Sequence, residues 1–569
     1  MEDKILNFNS YLLDPNPNKI TLHDCTTEEI SQIITELENG KSSDIPVKII
    51  KKSNKVISPI LARHFNYLMQ TGKFPNELKI GKITPVYKKD DAELLKNYRP
   101  ISTLPIFGKI FEKIIYTRLY DFCVSQNILH EKQFGFRKNH STSHAINYSI
   151  NHIHEAIKNK EHVLGIFIDL SKAFDTIDHK ILLSKLENYG IRENAQLILK
   201  SYLSGRKQYV NILGEKSELL DVLYGVPQGS CLGPLLFLIY INDLCRASKN
   251  SEFILFADDT NIFIKAKTEI LAFTIANEIL LKVSNYMLVN KLHINMDKCC
   301  YMHFKPRNPK TDIESPKYDL KIGDTQIECV SETKFLGIII DEKLTWDPQI
   351  QYLKKKLSCA TGILNRIKDS IPATLHKNLY HTLFESHLCY GITTWGGVSD
   401  AKLKPLFKVQ KKCIRILFGD KEKYLDKFKT CCRVRIKEEQ ILGQEYYQKE
   451  HTKPIFQLHK LMTVFNLYVY HCSMETFKIL KNRMPISMYT LFSISSRKET
   501  YLITPIPTPQ FLYNSSFIWN TVRKLLIGNN FSGSEISFKV SLKKFIFENQ
   551  HFGDITEWNQ KRKDCIILF

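Results

Sequence analysis

Three aspartates carry the most suggestive chemistry in this chain. Asp169 ends a nearly unbroken apolar run, Val163–Leu170 (VLGIFIDL), and the doublet Asp258-Asp259 lies between the short apolar arms of Phe253–Ile264 (FILFADDTNIFI). Hard divalent cations prefer carboxylate oxygens, and two of them about 4 Å apart can stabilise both the attacking and the leaving oxygen of a displacement at phosphorus. Acids drawn from separate rigid elements to one surface would suit that chemistry. Neighbouring residues of a regular strand face opposite sides, so Asp258 and Asp259 need a turn to reach one site together. The polar stretch Asp258-Asp259-Thr260-Asn261 is the expected turn. Taken alone, such a doublet more often makes a plain exposed turn.

The elements that must position these acids can be read from hydrophobic period. Val163–Leu170 has the unbroken apolar character of a buried strand, and Phe253–Ile264 the pattern of a hairpin. Helices are predicted over Glu28–Leu37 with Gly40 as its stop, Lys109–Val124, Ser141–Ile157 capped by Ser141 or Thr142, and Asp178–Tyr189 ended by Gly190. Cys231–Ile241 is too short to span a bilayer and reads as a buried helix. Lys79–Ser102 suits strands and loops bearing exposed cations. Beyond Trp346 the pattern becomes helical and basic, with Lys354-Lys355-Lys356 and Lys411-Lys412. It changes again near Lys453, and Thr504–Pro509 reads as irregular. Asp14–Asn18 reads as a loose lead-in, and neither an internal repeat nor a low-complexity tract is present.

Composition narrows the partners. The 569 residues allow two to four packed units, and a hydrophobic content of 43% is ordinary for a folded protein. The balance of 80 Lys and Arg against 59 Asp and Glu, a formal charge of +21, favours a polyanionic partner, since basic side chains bind phosphates partly through counterion release. The 14 cysteines are scattered, and the adjacent pairs Cys299-Cys300 and Cys431-Cys432 lack the spacing of a zinc knuckle or a redox site. The first residues, MEDKILNFNSYLL, do not have the form of a signal peptide. The expectation is an intracellular protein, cytoplasmic or nuclear, neither secreted nor membrane-bound.

Taken together, the motifs resemble the reverse transcriptases of non-LTR retrotransposons, particularly jockey-like and LINE-type elements. The resemblance is strong over Asp24–Thr345 and weaker to Phe418. Phe167–His179 (FIDLSKAFDTIDH) matches that family's first catalytic motif, and Phe256–Asp259 (FADD) its aromatic-x-Asp-Asp motif. The order of several motifs gives the match its specificity. It implies an α+β right-hand polymerase with fingers, a palm built on an antiparallel sheet, a helical thumb and a mainly helical C-terminal extension. The implied activity is RNA-directed DNA synthesis, with an RNA template, a DNA primer or target, deoxynucleotides and two Mg²⁺ ions (Mn²⁺ as a substitute). Asp169 and Asp258 become the principal metal ligands and Asp259 the supporting acid. Asp175 is read as structural or capping.

The resemblance also assigns the nucleotide pocket. Gln228, in Gly225–Ser230 (GVPQGS), would contact the incoming nucleotide and the template. Phe174 would be a steric gate against the ribose 2′-hydroxyl; without the resemblance it reads as a core aromatic. Lys88, Lys89, Arg99 and Arg137 are the candidate triphosphate cations, each of which alone more often is a solvated charge. Lys298 would protonate the leaving pyrophosphate, and Phe335-Leu336-Gly337 would grip the primer end. Otherwise that segment is a plain strand with a glycine bulge.

The expected organisation is a lead-in and fingers extension over 1–68, fingers and palm over 69–341, a thumb-like region over 342–450 and a C-terminal extension of unassigned role over 451–569. The basic helix Leu406–Leu417 suits a thumb on a duplex, or equally an ordinary amphipathic helix. The family often carries an endonuclease ahead of the polymerase, and too few residues precede the motifs here to hold one. Lys41–Pro46 (KSSDIP) is shorter than the family's usual Lys-Ser-Pro-Gly-x-Asp-Gly form. The competing reading is a catalytically silent descendant that binds RNA or DNA through its basic surface; intact acids, Gln228 and Phe174 favour the active one.

Overall fold

A computed structural model of the chain describes residues 7–39, 43–248, 250–305, 318–419, 452–480, 492–495, 502–505 and 534–548. Two compact units divide it, one drawn from 1–138, 161–303 and 308–329, the other from 139–160, 304–307 and 330–569.

The first unit contains two larger sheets. One has β1 (Ile80–Tyr87) antiparallel to β2 (Tyr98–Thr103) and parallel to β4 (Arg206–Ile212), which also pairs with the short strands β5 (Glu215–Lys216) and β6 (Leu220–Val222). The other is central and carries the acids. With β3 as His162–Ile168, β7 as Glu252–Phe256, β8 as Asp259–Ala266 and β9 as Cys300–Phe304, the strands run β9-β3-β8-β7, and β8 is antiparallel to both neighbours. The small strands β10 (Lys321–Ile322) and β11 (Thr325–Gln326) form a ribbon, and β12 (Glu328–Cys329) adds to the free side of β9. β3 lies inside the sheet, so it is apolar on both faces; every residue from Val163 to Ile168 is buried.

Helices cover this core for reasons visible in their sequences. Leu232–Ile241 is apolar all round, as a fully enclosed helix must be, and nearly all its residues are buried. The helix Ile106–Ser125 extends the predicted Lys109–Val124 by a turn, starting after Pro105. His179–Asn188 is capped by the Asp178 carboxylate, which accepts from the backbone N–H groups of Lys180 and Ile181 at 2.9 and 3.1 Å. The first helix, Thr27–Glu36, is capped by Thr26 and ends before Gly40. Residues 40–42, and with them part of the Lys41–Pro46 segment, lie outside the described residues.

The second unit is mainly helical where it is described. Helices Thr142–Lys158, Asp347–Ile367, Asp400–Phe418 and Val464–Leu480 are its longest, the first capped by Ser141 as its sequence predicts. A hairpin of β13 (Glu332–Phe335) and β14 (Ile338–Asp341) follows the first of these in the chain and precedes the other three. Within this unit Glu475 is half-buried and accepts from Asn147 Nδ2 at 3.2 Å and Thr393 Oγ1 at 3.3 Å; desolvation of its carboxyl pushes it up to about 7. Thr504–Pro509, expected to be irregular, begins inside a strand: β16 (Leu502–Pro505) pairs with β15 (Phe492–Ser495), because β-branched residues there favour an extended partner. Residues 506–509, like Cys431-Cys432, lie outside the described residues.

One buried ion pair links the helices behind the central sheet. Lys185 and Asp243 are fully buried, with Nζ 2.7 and 3.0 Å from the two carboxylate oxygens, 2.6 Å from the Tyr240 carbonyl and 3.3 Å from the Tyr286 hydroxyl. Desolvation acts on both charges, so the pair holds only because each is fully compensated. Lys185→Met is expected to lower unfolding stability by about 3–5 kcal/mol through an orphaned Asp243, and the double variant with Asp243→Leu to regain most of it. Urea denaturation of the three proteins checks this; a single variant as stable as the parent would contradict it.

Candidate active site

The three aspartates meet at one end of the central sheet. The antiparallel register of β3 and β8 pairs Ile168 with Thr260, so Asp169, the residue just after β3, falls beside Asp259. Strand β3 ends one residue before Asp169, whose backbone is instead held by the segment of Lys298: Asn295 N–H donates to the Asp169 carbonyl at 2.9 Å and Ser171 N–H to the His293 carbonyl at 2.8 Å. Asn295 Nδ2 lies 3.3 Å from the Asp169 carboxylate, and the Lys298 ammonium contacts the same oxygen.

The turn that aims the doublet, Phe256–Asp259, lies two residues earlier than the predicted Asp258–Asn261. Phe256 pairs with Asp259, leaving Ala257 and Asp258 as a two-residue hairpin loop. Asp259, Thr260 and Asn261 belong to β8. Thr260 and Asn261 are buried, and Asn261 donates to the Ile254 carbonyl at 3.1 Å, which secures them in the sheet despite their turn-like composition. Ala257 adopts φ +56°, a left-handed conformation that costs a non-glycine residue about 1–2 kcal/mol. The doublet therefore splits, with Asp258 in the loop and Asp259 opening the strand.

Electrostatics confirm that these groups sense one another. Asp259 reaches solvent, yet burial of its carboxyl, then the charges of Asp258 and Asp169, push it up to about 6. Asp258 is raised by burial and by Asp169, with Arg99 and Lys298 opposing. Such a cluster of hard, mutually repelling oxygens suits a divalent cation in donor type. Among the described residues, no three acidic, histidine or cysteine side chains are already arranged to hold one ion. Lys298 occupies Asp169 instead.

The cations sort themselves by contact. Lys88, next to Lys89 in sequence, is the one that senses Lys298, Arg99 and Asp169; burial and those neighbouring cations lower its pKa. Lys89 is exposed and lies 3.6 Å from Asp90. Arg99 is exposed on β2, opposite Val86 of β1, and its charge reaches Asp258. Arg137 is placed differently from the triphosphate role the sequence suggested. Its Nη1 donates to the carbonyls of His130 and Gln133 at 2.8 and 3.2 Å, so the guanidinium is engaged by backbone.

The loop Gly225–Ser230 packs on the turn after Asp169. Val226 N–H donates to the Phe174 carbonyl and Gly225 N–H to the Ile177 carbonyl, both at 2.8 Å. A Cβ on Gly225, at φ +79°, would lie 2.7 Å from the Asp175 backbone. Gln228 Nε2 donates to Asp175 Oδ1 at 2.8 Å, while the Gln228 carbonyl accepts from Ser102 N–H at 2.7 Å. Asp175 thus orients Gln228, a partnership no local pattern announced. Phe174 stacks on Phe237 with centroids 4.8 Å apart and meets Phe136 edge-on at 6.2 Å.

Phe335, Leu336 and Gly337 lie in the second unit. Leu336 and Gly337 form the two-residue turn of β13 and β14, at φ +44° and +92°. Tyr390 Oη donates to the Leu336 carbonyl at 2.6 Å, and a Cβ on Gly337 would collide with its ring. The segment is a tight hairpin turn rather than a bulge.

Comparison with known proteins agrees with this geometry. Residues 86–340 match the family described as reverse transcriptase (RNA-dependent DNA polymerase), a span that includes both acidic motifs. That segment is a reverse transcriptase domain. Over 423 residues the chain is 27% identical to the RNA-directed DNA polymerase from mobile element jockey of Drosophila melanogaster, covering 72% of this chain and 45% of that protein. Over 412 residues it is 27% identical to the probable RNA-directed DNA polymerase from transposon X-element of the same species, covering 69% and 44%. Similarity extends to the type-1 retrotransposable element R1 polyprotein of Bradysia coprophila, 28% identical over 334 residues, covering 57% and 32%. The chain spans less than half the length of these relatives.

In this reverse transcriptase domain the sequence pointed to the acids, Lys298, Gln228, Phe174, Arg99 and Lys88, and missed Asn295 and the pairing of Asp175 with Gln228.

The raised carboxyl sets a pH dependence. Asp259 has an ordinary value of 3.8 and a folded value of about 6, so the folded state holds the proton more tightly. Its ionisation therefore costs stability above pH 6, and that cost vanishes below about pH 4. Asp259→Asn is expected to melt higher than the parent at pH 8, with the difference shrinking as pH falls through 6. Scanning fluorimetry from pH 4 to 8 measures this, and parallel curves for the two proteins would contradict it.

Proposed function

We propose that this chain is an RNA-directed DNA polymerase of a jockey-like, non-LTR retrotransposon, extending a DNA 3′-hydroxyl on an RNA template. The observation that carries the reading is the convergence of Asp169, Asp258 and Asp259 with Lys298, Arg99 and Lys88 at one sheet end.

In the proposed reaction the primer 3′-oxygen bonds to the α-phosphorus of a deoxynucleotide as the bond to pyrophosphate breaks. Two Mg²⁺ ions, or Mn²⁺ in their place, would screen the phosphate charge and activate the attacking hydroxyl. Asp169 and Asp258 would hold these ions, with Asp259 in support. Lys298 is ready to exchange Asp169 for the leaving pyrophosphate and to donate a proton to it. Arg99 and Lys88 would meet the triphosphate, with Lys89 outside them. Gln228, aimed by Asp175, would contact the nascent base pair. Phe174, fixed by its stack on Phe237, would bar a 2′-hydroxyl.

We assign the β1-β2-β4 sheet to fingers and the β9-β3-β8-β7 sheet to a palm, within residues 69–341. A thumb over 342–450 would include the described helices Asp347–Ile367 and Asp400–Phe418, with Phe335-Leu336-Gly337 as the primer grip before it. RNA, DNA and deoxynucleotides are the expected partners, in an intracellular setting. Among the described residues no helix is long and apolar enough to cross a membrane.

Primer extension on poly(rA)/oligo(dT) with Mg²⁺ or Mn²⁺ tests the activity. The parent should extend, and Asp258→Ala should lose roughly 10³-fold or more. A folded parent that binds the duplex without extending it would favour the silent, binding-only descendant. Phe174→Ala should raise ribonucleotide incorporation relative to deoxynucleotide by roughly ten- to a hundred-fold, read by competing the two nucleotide types in one reaction; unchanged selectivity would remove the gate from Phe174.

A further inference from the structure

We infer that Gln133 is a positioning residue, a clamp that holds the strained turn presenting Asp258. The inference rests on the polymerase reading for its functional consequence, but its geometry stands alone.

The first turn residue of a two-residue hairpin has a backbone N–H that faces away from the ladder. Here that group belongs to Ala257, which is only 4% exposed and sits at φ +56°. A buried donor needs an acceptor. Gln133 Oε1 supplies it at 3.0 Å, and the same oxygen accepts the N–H of Gly135 at 2.9 Å. Two backbone donors meeting one side-chain atom fix which end of the amide is the oxygen. Gln133 is 1% exposed, so water does not compete for these bonds.

The segment carrying the clamp is itself anchored. Phe134 N–H donates to the Leu255 carbonyl at 2.8 Å and Leu255 N–H to the Lys132 carbonyl at 3.0 Å, so residues 132–134 run parallel to β7 along its free edge. His130 N–H donates to Asn242 Oδ1 at 2.8 Å, and Lys132 lies 3.2 Å from Glu252. Arg137 donates to the carbonyls of His130 and Gln133. Its guanidinium therefore braces the clamp.

Gly135 then passes over the turn with no room for a side chain. A Cβ there would fall 2.3 Å from the Ala257 nitrogen and 3.0 Å from the Phe256 carbonyl carbon. The run Gln133-Phe134-Gly135-Phe136-Arg137 thus has a physical reading beyond lining a pocket: an acceptor, a close crossing and a brace, all directed at the Phe256–Ala257 peptide that leads into Asp258. Holding that peptide fixes where the Asp258 carboxylate starts from, and so where it stands relative to Asp169 and Asp259.

Gln133→Met keeps the volume and removes the acceptor; Gln133→Glu keeps an oxygen at the same reach. In hydrogen exchange followed by mass spectrometry, Gln133→Met should exchange faster over 254–261 by tenfold or more, and Gln133→Glu at the parent's rate. In primer extension, Gln133→Met should lower kcat by ten- to a hundred-fold with less than a threefold change in KM for the deoxynucleotide. Adding Ala257→Gly, which adopts the left-handed turn without strain, should restore at least a third of the lost rate. Parental exchange in Gln133→Met, equal exchange in the Met and Glu variants, or a rate loss that Ala257→Gly leaves untouched would each overturn the clamp. If Gln133→Met does not fold, Gly135→Ala must produce the same local exchange, since its Cβ displaces the same turn; a parental pattern there overturns it too. The exchange measurements hold even for a parent that extends no primer, so failure of the clamp and failure of the polymerase reading are separate results.

Discussion

Three carboxylates gathered at one sheet end repel each other and resist burial, and the first unit is organised around tolerating that charge. The raised values of Asp258 and Asp259 reflect the cost, Lys298 opposes it at both and Arg99 at Asp258, and Lys88 senses Asp169. The acids cannot relax apart, because each is tied to a different rigid element. Asp169 follows a strand buried on both faces, Asp259 opens the neighbouring strand, and Asp258 sits on the turn joining it to the edge strand. A group of oxygens held closer than their charges prefer is one that binds a compact cation.

Keeping those elements in place requires backbone to approach backbone, and glycine makes this possible at two points around the site. Gly225 lets its loop settle on the Asp175 turn, and Gly135 lets its segment cross the Ala257 turn. At the first, the contact leads to the Asp175–Gln228 hydrogen bond; at the second, to the paired bonds of Gln133. In each case a tight crossing is accompanied by a side-chain amide that fixes a residue of the site. The fully compensated Lys185–Asp243 pair serves the helices behind the sheet in a similar way, trading desolvation for one defined arrangement.

Much was legible in the sequence alone. The buried strand, the hairpin, the all-apolar helix and the capped helices all have local causes, namely residue period and capping chemistry acting within a few positions. The acids could be named because their motif order is distinctive, and Phe174 and Gln228 could be named with them. Other features depend on contacts between distant residues. Lys298 meets Asp169 across 129 positions and Gln133 meets Ala257 across 124. Lys88 senses Asp169 whereas Lys89 lies beside Asp90, although both are equally basic, a distinction their sequence does not make. Arg137 had the right chemistry for a phosphate and was engaged by backbone carbonyls instead. The turn was misplaced by two residues because Thr260 and Asn261, polar and turn-like in isolation, are held in the sheet by partners on neighbouring strands. The sequence by itself determined which residues could do chemistry and which segments would be rigid; the tertiary structure decided which of them point at one another, since local propensity acts over a few residues whereas the register of a sheet and the crossing of a loop are set by packing across the whole unit.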